Sequence, residues 1–277
     1  NNIVSKIESK VQNTMLPIAM KIDKQRHISA VKEGLSMTIP FTIIGGMFLI
    51  LAQPPIDPTK VKGTNFFLQF MLSWHAWAAA NQDIIMLPYN LTLGLLALYA
   101  VVGISYSLAS KYKMDKINTS LASLFTFLVV SVKFVKGKMV TDNLGAAGLF
   151  TAILIGLLTV EISKLLKEKN IRINMPEQVP KMVSAPFESL IPTVVNVIVF
   201  MGINGLLGLA GTSIPNIMVS ILTPILKASN SLPTILLLTF ITLVLWFFGI
   251  HGDNVTSPIM TPITTANIAL NAAAVAA

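Results

Sequence analysis

The chain has few charged residues and no cysteine. Asp, Glu, Lys and Arg together make up 12% of its 277 residues, whereas soluble domains average about 25%. This deficit excludes an ordinary soluble globular surface. Because cysteine is absent, the chain has no disulfide framework and no thiolate nucleophile of its own.

Motifs for metal binding, phosphate binding and catalysis are also missing. The sequence contains no GxxxxGK[ST] loop, and His27, His75 and His251 are too widely spaced to predict a metal site. The formal net charge is +8, but Lys and Arg occur in short runs between apolar stretches rather than on one soluble face. We therefore predict no metal, no cofactor and no nucleic-acid partner.

Apolar residues, in contrast, are abundant. They make up 53% of the chain, and the mean hydropathy is +0.72. A helical membrane crossing needs about 20 mainly apolar residues, and six runs predict such spans: 31–52, 84–110, 117–132, 144–165, 187–211 and 232–250. The predicted fold class is an all-α integral membrane protein, a multi-span helical bundle with amphipathic interfacial helices and a re-entrant hairpin.

Three shorter segments are predicted to lie at the membrane edge. Residues 1–30 have apolar side chains at helical spacing among Lys and Arg, which predicts an amphipathic surface helix. Residues 66–80 include Trp74 and Trp77, which favour the headgroup level, so this segment is predicted to be interfacial or re-entrant. Residues 216–231 are predicted to be amphipathic.

The basic residues predict how the spans are oriented. With the six spans above, fourteen Lys and Arg fall on the side of the N-terminus and six on the opposite side. Since Lys and Arg are enriched in cytoplasmic loops, the N-terminus is predicted to be cytoplasmic. The six on the other side are Lys60, Lys62, Lys133, Lys136, Lys138 and Lys227.

A glycine repeats at every third position in the fifth span: Gly202, Gly205, Gly208 and Gly211. Such a row allows another helix to approach closely. Ordinary tight packing is the favoured interpretation. The alternative is a dimer interface or a sliding surface for a moving domain.

The candidate binding site follows the sixth span, where the very apolar Trp246 helix gives way to His251, Gly252, Asp253 and Asn254. Polar residues at membrane depth are functional candidates, and Pro258 and Pro262 oppose one continuous helix there. The alternative is a loop that reaches water. Trp246 favours a site, since an apolar indole face beside hydrogen-bonding groups suits a sugar ring. His75 between two tryptophans is better explained by interfacial anchoring.

The sequence also resembles a known family, the sugar permease or enzyme IIC of the bacterial phosphotransferase system, in its lactose, cellobiose and N,N'-diacetylchitobiose branch. The resemblance covers essentially the whole chain. Three stretches carry it: LYAVVGISYSLASKYKMD at 98–115, INMPEQVPKMVSAPFESLIP at 173–192 and LWFFGIHGDN at 245–254.

The resemblance implies a permease in the bacterial plasma membrane that binds a β-linked disaccharide. It implies a homodimer formed by an N-terminal bundle at 31–186, preceded by the segment at 1–30. A substrate-binding domain begins within 187–277, and a further hairpin with an acidic residue is expected beyond residue 277. The implied phosphoryl donor is a separate enzyme IIB subunit whose cysteine carries the phosphate.

Roles for the site residues follow from the resemblance. Trp246 is expected to stack on a sugar ring, and His251 to orient or deprotonate the 6-hydroxyl that becomes phosphorylated. Gly252, Asp253 and Asn254 are expected to shape a re-entrant turn or to bind other hydroxyls. Two alternatives remain: an ion-coupled transporter with His251 and Asp253 as a proton relay, and a membrane assembly subunit without transport.

Overall fold

The computed structural model describes residues 25–59, 65–176, 178–229, 231–247 and 252–276. Within these ranges the chain is mainly α-helical. The helices are α1 (Arg26–Ser36), α2 (Ile39–Ala52), α3 (Phe66–Ala80), α4 (Gln82–Ile85), α5 (Leu87–Leu91), α6 (Leu96–Lys111), α7 (Lys116–Ser131), α8 (Leu149–Glu168), α9 (Lys181–Leu209), α10 (Ile214–Ser229), α11 (Leu232–Phe247) and α12 (Gly252–Ala276).

Helix α6 is the centre of the bundle. It packs against α1, α7 and α8, and much of its length is inaccessible to solvent. Small side chains alternate with branched ones along it, so neighbouring helices approach closely on several sides. Its fully buried apolar residues are Leu96, Ala97, Ala100, Val101, Ile104, Leu108 and Ala109.

Helices α1 and α6 touch through their backbones where Gly34 meets Gly103. A Cβ atom on Gly34 would lie 2.4 Å from the backbone nitrogen of Ile104. A Cβ atom on Gly103 would lie 2.5 Å from the Gly34 carbonyl oxygen. Real Cβ contacts are never this short, so only glycine allows this crossing.

Among the described residues, four helical stretches are long and apolar enough to cross a membrane: Arg26–Ala52, Gln82–Lys111, Ala146–Glu168 and Lys181–Leu209. They match the predicted first, second, fourth and fifth spans. The predicted third and sixth spans correspond to α7 and α11, which are 16 residues long each. The predicted multi-span helical architecture is confirmed. Large apolar side chains cover its outside, among them Ile43, Met47, Ile50, Ile198 and Leu206.

One short β-hairpin interrupts the helical pattern. Strands β1 (Lys133–Val135) and β2 (Lys138–Val140) pair antiparallel between α7 and α8. The two turn residues, Lys136 and Gly137, have φ of 50° and 76°, as a tight two-residue hairpin turn requires. The sequence contains a signal for it, a glycine between two short apolar pairs, in the segment that separates the predicted third and fourth spans.

Helix α9 continues through Pro186 and Pro192 and packs against α7 and α8. It therefore crosses the predicted domain boundary between residues 186 and 187 without a break. Its far half carries three members of the glycine row, and Gly211 follows the end of the helix; all four are exposed. An added Cβ on any of them would meet nothing within 4 Å. Within the described part of this chain, the row does not provide the tight packing that we favoured.

Of the three segments predicted to lie at the membrane edge, two are helices in the structure and most of the third lies outside the described residues. Residues 1–24 of the predicted amphipathic N-terminal segment lie outside the described residues. The segment at 66–80 is α3, and Trp74 Nε1 donates a hydrogen bond to the Leu51 carbonyl at the end of α2, at 3.1 Å. The segment at 216–231 corresponds to α10.

Candidate functional site

The predicted sugar site falls at the junction of α11 and α12. Trp246 lies in the last turn of α11, and 47% of its surface is exposed. His251 lies outside the described residues. Gly252, Asp253 and Asn254 form the first turn of α12. The four backbone N–H groups that begin an α-helix have no partner within the helix, so this turn supplies donors at the junction.

The expectation that Pro258 and Pro262 prevent a continuous helix is wrong from Gly252 onwards. Helix α12 runs through both prolines to Ala276. Each proline removes one helical hydrogen bond, but an apolar environment gives a non-helical backbone no partners at all. The helix therefore persists despite the lost bonds. Gly252 and its two successors lie in this helix rather than in an extended turn.

Helix α12 connects the junction to the N-terminal bundle. Its second half presents a stripe of small side chains, Ala266, Ala269 and Ala272, that are 1%, 2% and 9% exposed. This half packs against α1 and α2, and α12 also packs against α11. The small side chains allow the close approach of helices. The first turn of α12 is thus carried by a helix that is fixed in the bundle core.

A polar cluster joins α1 to α6 at the basic end of the bundle, which is the end where α6 and α8 terminate. Lys111 Nζ lies 2.7 Å from Glu33 Oε1 and donates to Ser29 Oγ at 3.0 Å. Ser107 donates to the second Glu33 oxygen. Glu33 and Lys111 are 78 residues apart, so no local sequence pattern reveals the pair.

A second cluster joins α1 to α8. His27 Nε2 lies 2.8 Å from Glu161 Oε1, and the Tyr112 hydroxyl donates to the same oxygen. Burial, followed by the hydrogen bond to Glu161, raises the pKa of Tyr112 to about 12. The ring of Tyr112 also lies beneath Lys164 Nζ, 4.4 Å from its centroid. These contacts explain how the short helix α1 is held, and they leave no group poised for catalysis.

The aromatic segment around His75 does not form a sugar site. Leu51, Phe70, Ser73, Trp74 and Trp77 line an open groove of about 530 Å³. Only Ser73 and the indole nitrogens are polar there, and the Trp74 nitrogen already donates to a carbonyl. A sugar needs several hydrogen-bonding partners, so anchoring at the membrane surface explains these residues better. Among the described residues, no group of three metal-ligating side chains occurs.

Comparison with known proteins identifies the family. The family model described as "Phosphotransferase system, EIIC" matches residues 32–277 of this chain. The chain belongs to this family. The putative permease IIC component YwbA of Bacillus subtilis (strain 168) is 33% identical over 270 residues, which are 91% of this chain and 58% of YwbA. The lactose-specific EIICB component of Streptococcus mutans is 26% identical over 98% of this chain and 46% of that protein.

A solved structure supports the same assignment. The crystal structure of the transporter ChbC, the IIC component of an N,N'-diacetylchitobiose-specific phosphotransferase system, matches with a TM-score of 0.75 and 33% identity. The match covers 91% of this chain and 60% of ChbC. The chain thus has the fold of an EIIC transporter over most of its length. It spans about half of the length of the relatives that it matches.

Proposed function

We propose that this EIIC protein is the permease component of a phosphotransferase system and carries a β-linked disaccharide of the cellobiose, diacetylchitobiose or lactose type. The observation that carries the proposal is the α11–α12 junction, where the half-exposed Trp246 indole precedes the first turn of α12, whose leading N–H groups have no partner within the helix. An apolar plane beside hydrogen-bond donors suits a sugar ring. The similarity to ChbC and to a lactose-specific EIICB component supports this class of sugar.

Each residue of the proposed site has a separate role. Trp246 stacks on the C–H face of a sugar ring, and Asp253 and Asn254 bind hydroxyl groups. His251 orients or deprotonates the 6-hydroxyl, because an imidazole that titrates near neutral pH can serve as a base at physiological pH. The phosphoryl donor is phosphorylated enzyme IIB, the subunit whose cysteine carries the phosphate, and the absence of cysteine from this sequence fits that division. The Streptococcus mutans relative is named an EIICB component, a name that combines a IIC and a IIB unit.

Disaccharide binding by the full-length purified protein tests the stacking role. Trp246→Ala should weaken cellobiose or diacetylchitobiose binding about tenfold, since an aromatic contact of this kind contributes about 1.4 kcal/mol. Trp246→Phe should restore part of the affinity. Trp77→Ala is the matched control, because Trp77 is 53% exposed on α3. Equal disaccharide affinities for Trp246→Ala and Trp77→Ala would show that Trp246 is not part of the binding site.

The role of His251 requires a different measurement. His251→Gln should leave disaccharide affinity within a few fold but slow the formation of phosphorylated sugar by about 100-fold or more, as expected for the loss of a general base. Uptake that depends on a proton gradient and yields no phosphorylated sugar would instead support the proton-relay alternative. It would overturn the proposed function.

We also propose that the protein is a homodimer in the bacterial plasma membrane with a cytoplasmic N-terminus. The excess of Lys and Arg at the basic end supports this orientation. Because the chain has no cysteine, single cysteines can be introduced at Lys169, at the basic end, and at Lys136, in the hairpin at the other end. In intact cells an impermeant maleimide should label only Lys136→Cys. Labelling of only Lys169→Cys would reverse the orientation.

A further inference from the structure

A small polar pocket lies between α7, α8 and α9 at the basic end of the bundle. Its volume is about 70 Å³, roughly the volume that two water molecules occupy in the liquid. Pockets for sugar-sized ligands are several times larger, at about 300 Å³ or more. The pocket is therefore separate in size and position from the α11–α12 junction. Its polar lining includes Asp115, Thr119, Ser163, Lys167, Arg172 and Glu188.

The two carboxylates of the pocket already have partners. Asp115 caps α7, and its Oδ1 accepts hydrogen bonds from the backbone nitrogen and the side-chain nitrogen of Asn118 at 2.7 and 2.9 Å. Glu188 Oε2 lies 2.7 Å from Arg172 Nη1. One oxygen of each acid thus contacts a neighbouring group of the protein, and the positive charges of Lys167 and Arg172 offset the two carboxylates, which disfavours a cation as the ligand.

The donors of the pocket are less fully used. Arg172 Nε is buried and has no acceptor among the described residues, although the pair with Glu188 fixes the position of the guanidinium. Lys167 Nζ lies within 4.0 Å of no carboxylate in the described part of the chain. A buried donor without an acceptor destabilises a fold unless a ligand or water supplies one. The buried Arg172 Nε therefore favours an anionic occupant, and the exposed Lys167 adds a second positive charge to the wall of the pocket.

A buried hydroxyl adds a third donor. Ser163 is 5% exposed and lines the pocket. Its oxygen accepts a hydrogen bond from Asn196 Nδ2 at 3.0 Å, so its own proton remains available for an acceptor in the pocket. A hydroxyl, a guanidinium and an ammonium around one small space are the donors that bind phosphate oxygens.

We propose that this pocket binds a phosphate-bearing anion. Two sources share that chemistry, the headgroup of an acidic membrane lipid and a free phosphate ester. A lipid fits the surroundings, because α7 exposes Leu121 and Phe125 and α9 exposes Leu190 and Val194. Basic pockets between helices at the cytoplasmic side are known sites for acidic lipid headgroups. This site is independent of the proposed sugar-binding function.

The test uses the full-length protein in a neutral detergent with short-chain lipids that differ only in phosphate. Dioctanoyl phosphatidic acid should bind, and dioctanoylglycerol, which lacks the phosphate, should bind at least tenfold more weakly. Lys167→Gln should raise the dissociation constant for phosphatidic acid about fivefold, the effect of one basic residue near an acidic headgroup. Lys169→Gln is the matched control, since Lys169 is exposed two residues away and does not line the pocket.

Two further measurements distinguish a lipid headgroup from a free phosphate ester and separate a loss of binding from misfolding of the variant. Arg172→Lys retains the charge but removes Nε, so it should also weaken binding while the protein elutes as the native species. If glycerol 3-phosphate competes at a similar concentration, the source is a free phosphate ester; if it does not compete, the source is a lipid. Equal losses for Lys167→Gln and Lys169→Gln, equal binding of dioctanoylglycerol, or no binding of either phosphate compound would overturn the proposal.

Discussion

The contact between Gly34 and Gly103 predicts a large cost for adding one methyl group. In Gly34→Ala the new Cβ would lie 2.4 Å from the Ile104 nitrogen and 2.5 Å from its Cα. Ordinary contacts begin near 3.4 Å. The obstacle is backbone rather than a flexible side chain, so α1 must move by about 1 Å away from α6. A gap of that size forfeits a quarter to a half of the local dispersion energy.

The magnitude follows from two opposing effects. Overpacking of this kind costs about 3 kcal/mol, the upper end of the usual range, because no rotamer change can relieve it. Replacing a helical glycine with alanine returns about 1 kcal/mol through helix propensity. The net loss should be about 2 kcal/mol, which corresponds to a decrease in Tm of about 4–8 °C for a chain of this size.

The matched control is Gly46→Ala in α2. An added Cβ on Gly46 would meet nothing within 4 Å, so only the propensity gain applies and the Tm should stay constant or rise. Both variants are compared with the parent protein by thermal unfolding in one detergent, read out as the loss of the monodisperse chromatographic peak. Equal Tm values for Gly34→Ala and Gly46→Ala would refute the backbone contact between α1 and α6.

Three further predictions concern other contacts. Asn196→Leu should lower stability by about 1–2 kcal/mol, since the buried amide donates to the Pro192 carbonyl at 2.8 Å and to Ser163; an unchanged Tm would contradict this. Tyr112→Phe should flatten the stability loss between pH 10 and 12: a folded-state pKa of about 12 means that the contribution of the tyrosine is present below pH 10 and lost as the pH rises through 12. The free energy of unfolding is measured across this pH range for the parent protein and for Tyr112→Phe. Equal losses of stability in the two proteins would contradict the prediction. Ala269→Leu should weaken disaccharide binding by displacing α12 from the core, whereas Ala274→Leu, at an exposed position, should not. Equal affinities of the two variants would show that the packing of α12 in the core does not determine disaccharide binding.

Local sequence patterns predicted the helices well where an apolar run has polar ends. The segment predicted at 66–80 is α3 (Phe66–Ala80), and the span predicted at 117–132 is α7 (Lys116–Ser131). Asp115 marks the start of α7 because its side chain accepts from a free N–H of the first turn. Such signals lie within a few residues of one another, so a single sequence contains them.

Contacts between distant segments were not predictable in the same way. Gly45 and Gly46 are neighbours in one apolar helix, yet an added Cβ on Gly45 would collide with Thr92 and Leu93 whereas one on Gly46 would meet nothing within 4 Å. The pair of His27 and Glu161 joins residues 134 positions apart. The packing of both α1 and α8 against α6 brings them together, and the sequence of either helix alone does not specify that neighbour.

Charge distribution separates the two proposed ligands. From residue 189 to residue 277 the chain has only two charged side chains, Lys227 and Asp253. The α11–α12 junction therefore offers mainly neutral donors and an indole, which suit a neutral disaccharide better than an ion. The pocket at the basic end instead has Lys167 and Arg172 beside Asp115 and Glu188 around a space of about 70 Å³. The junction thus suits a neutral substrate, whereas the proposed anion at the basic end is favoured by the buried Arg172 Nε, which has no acceptor among the described residues.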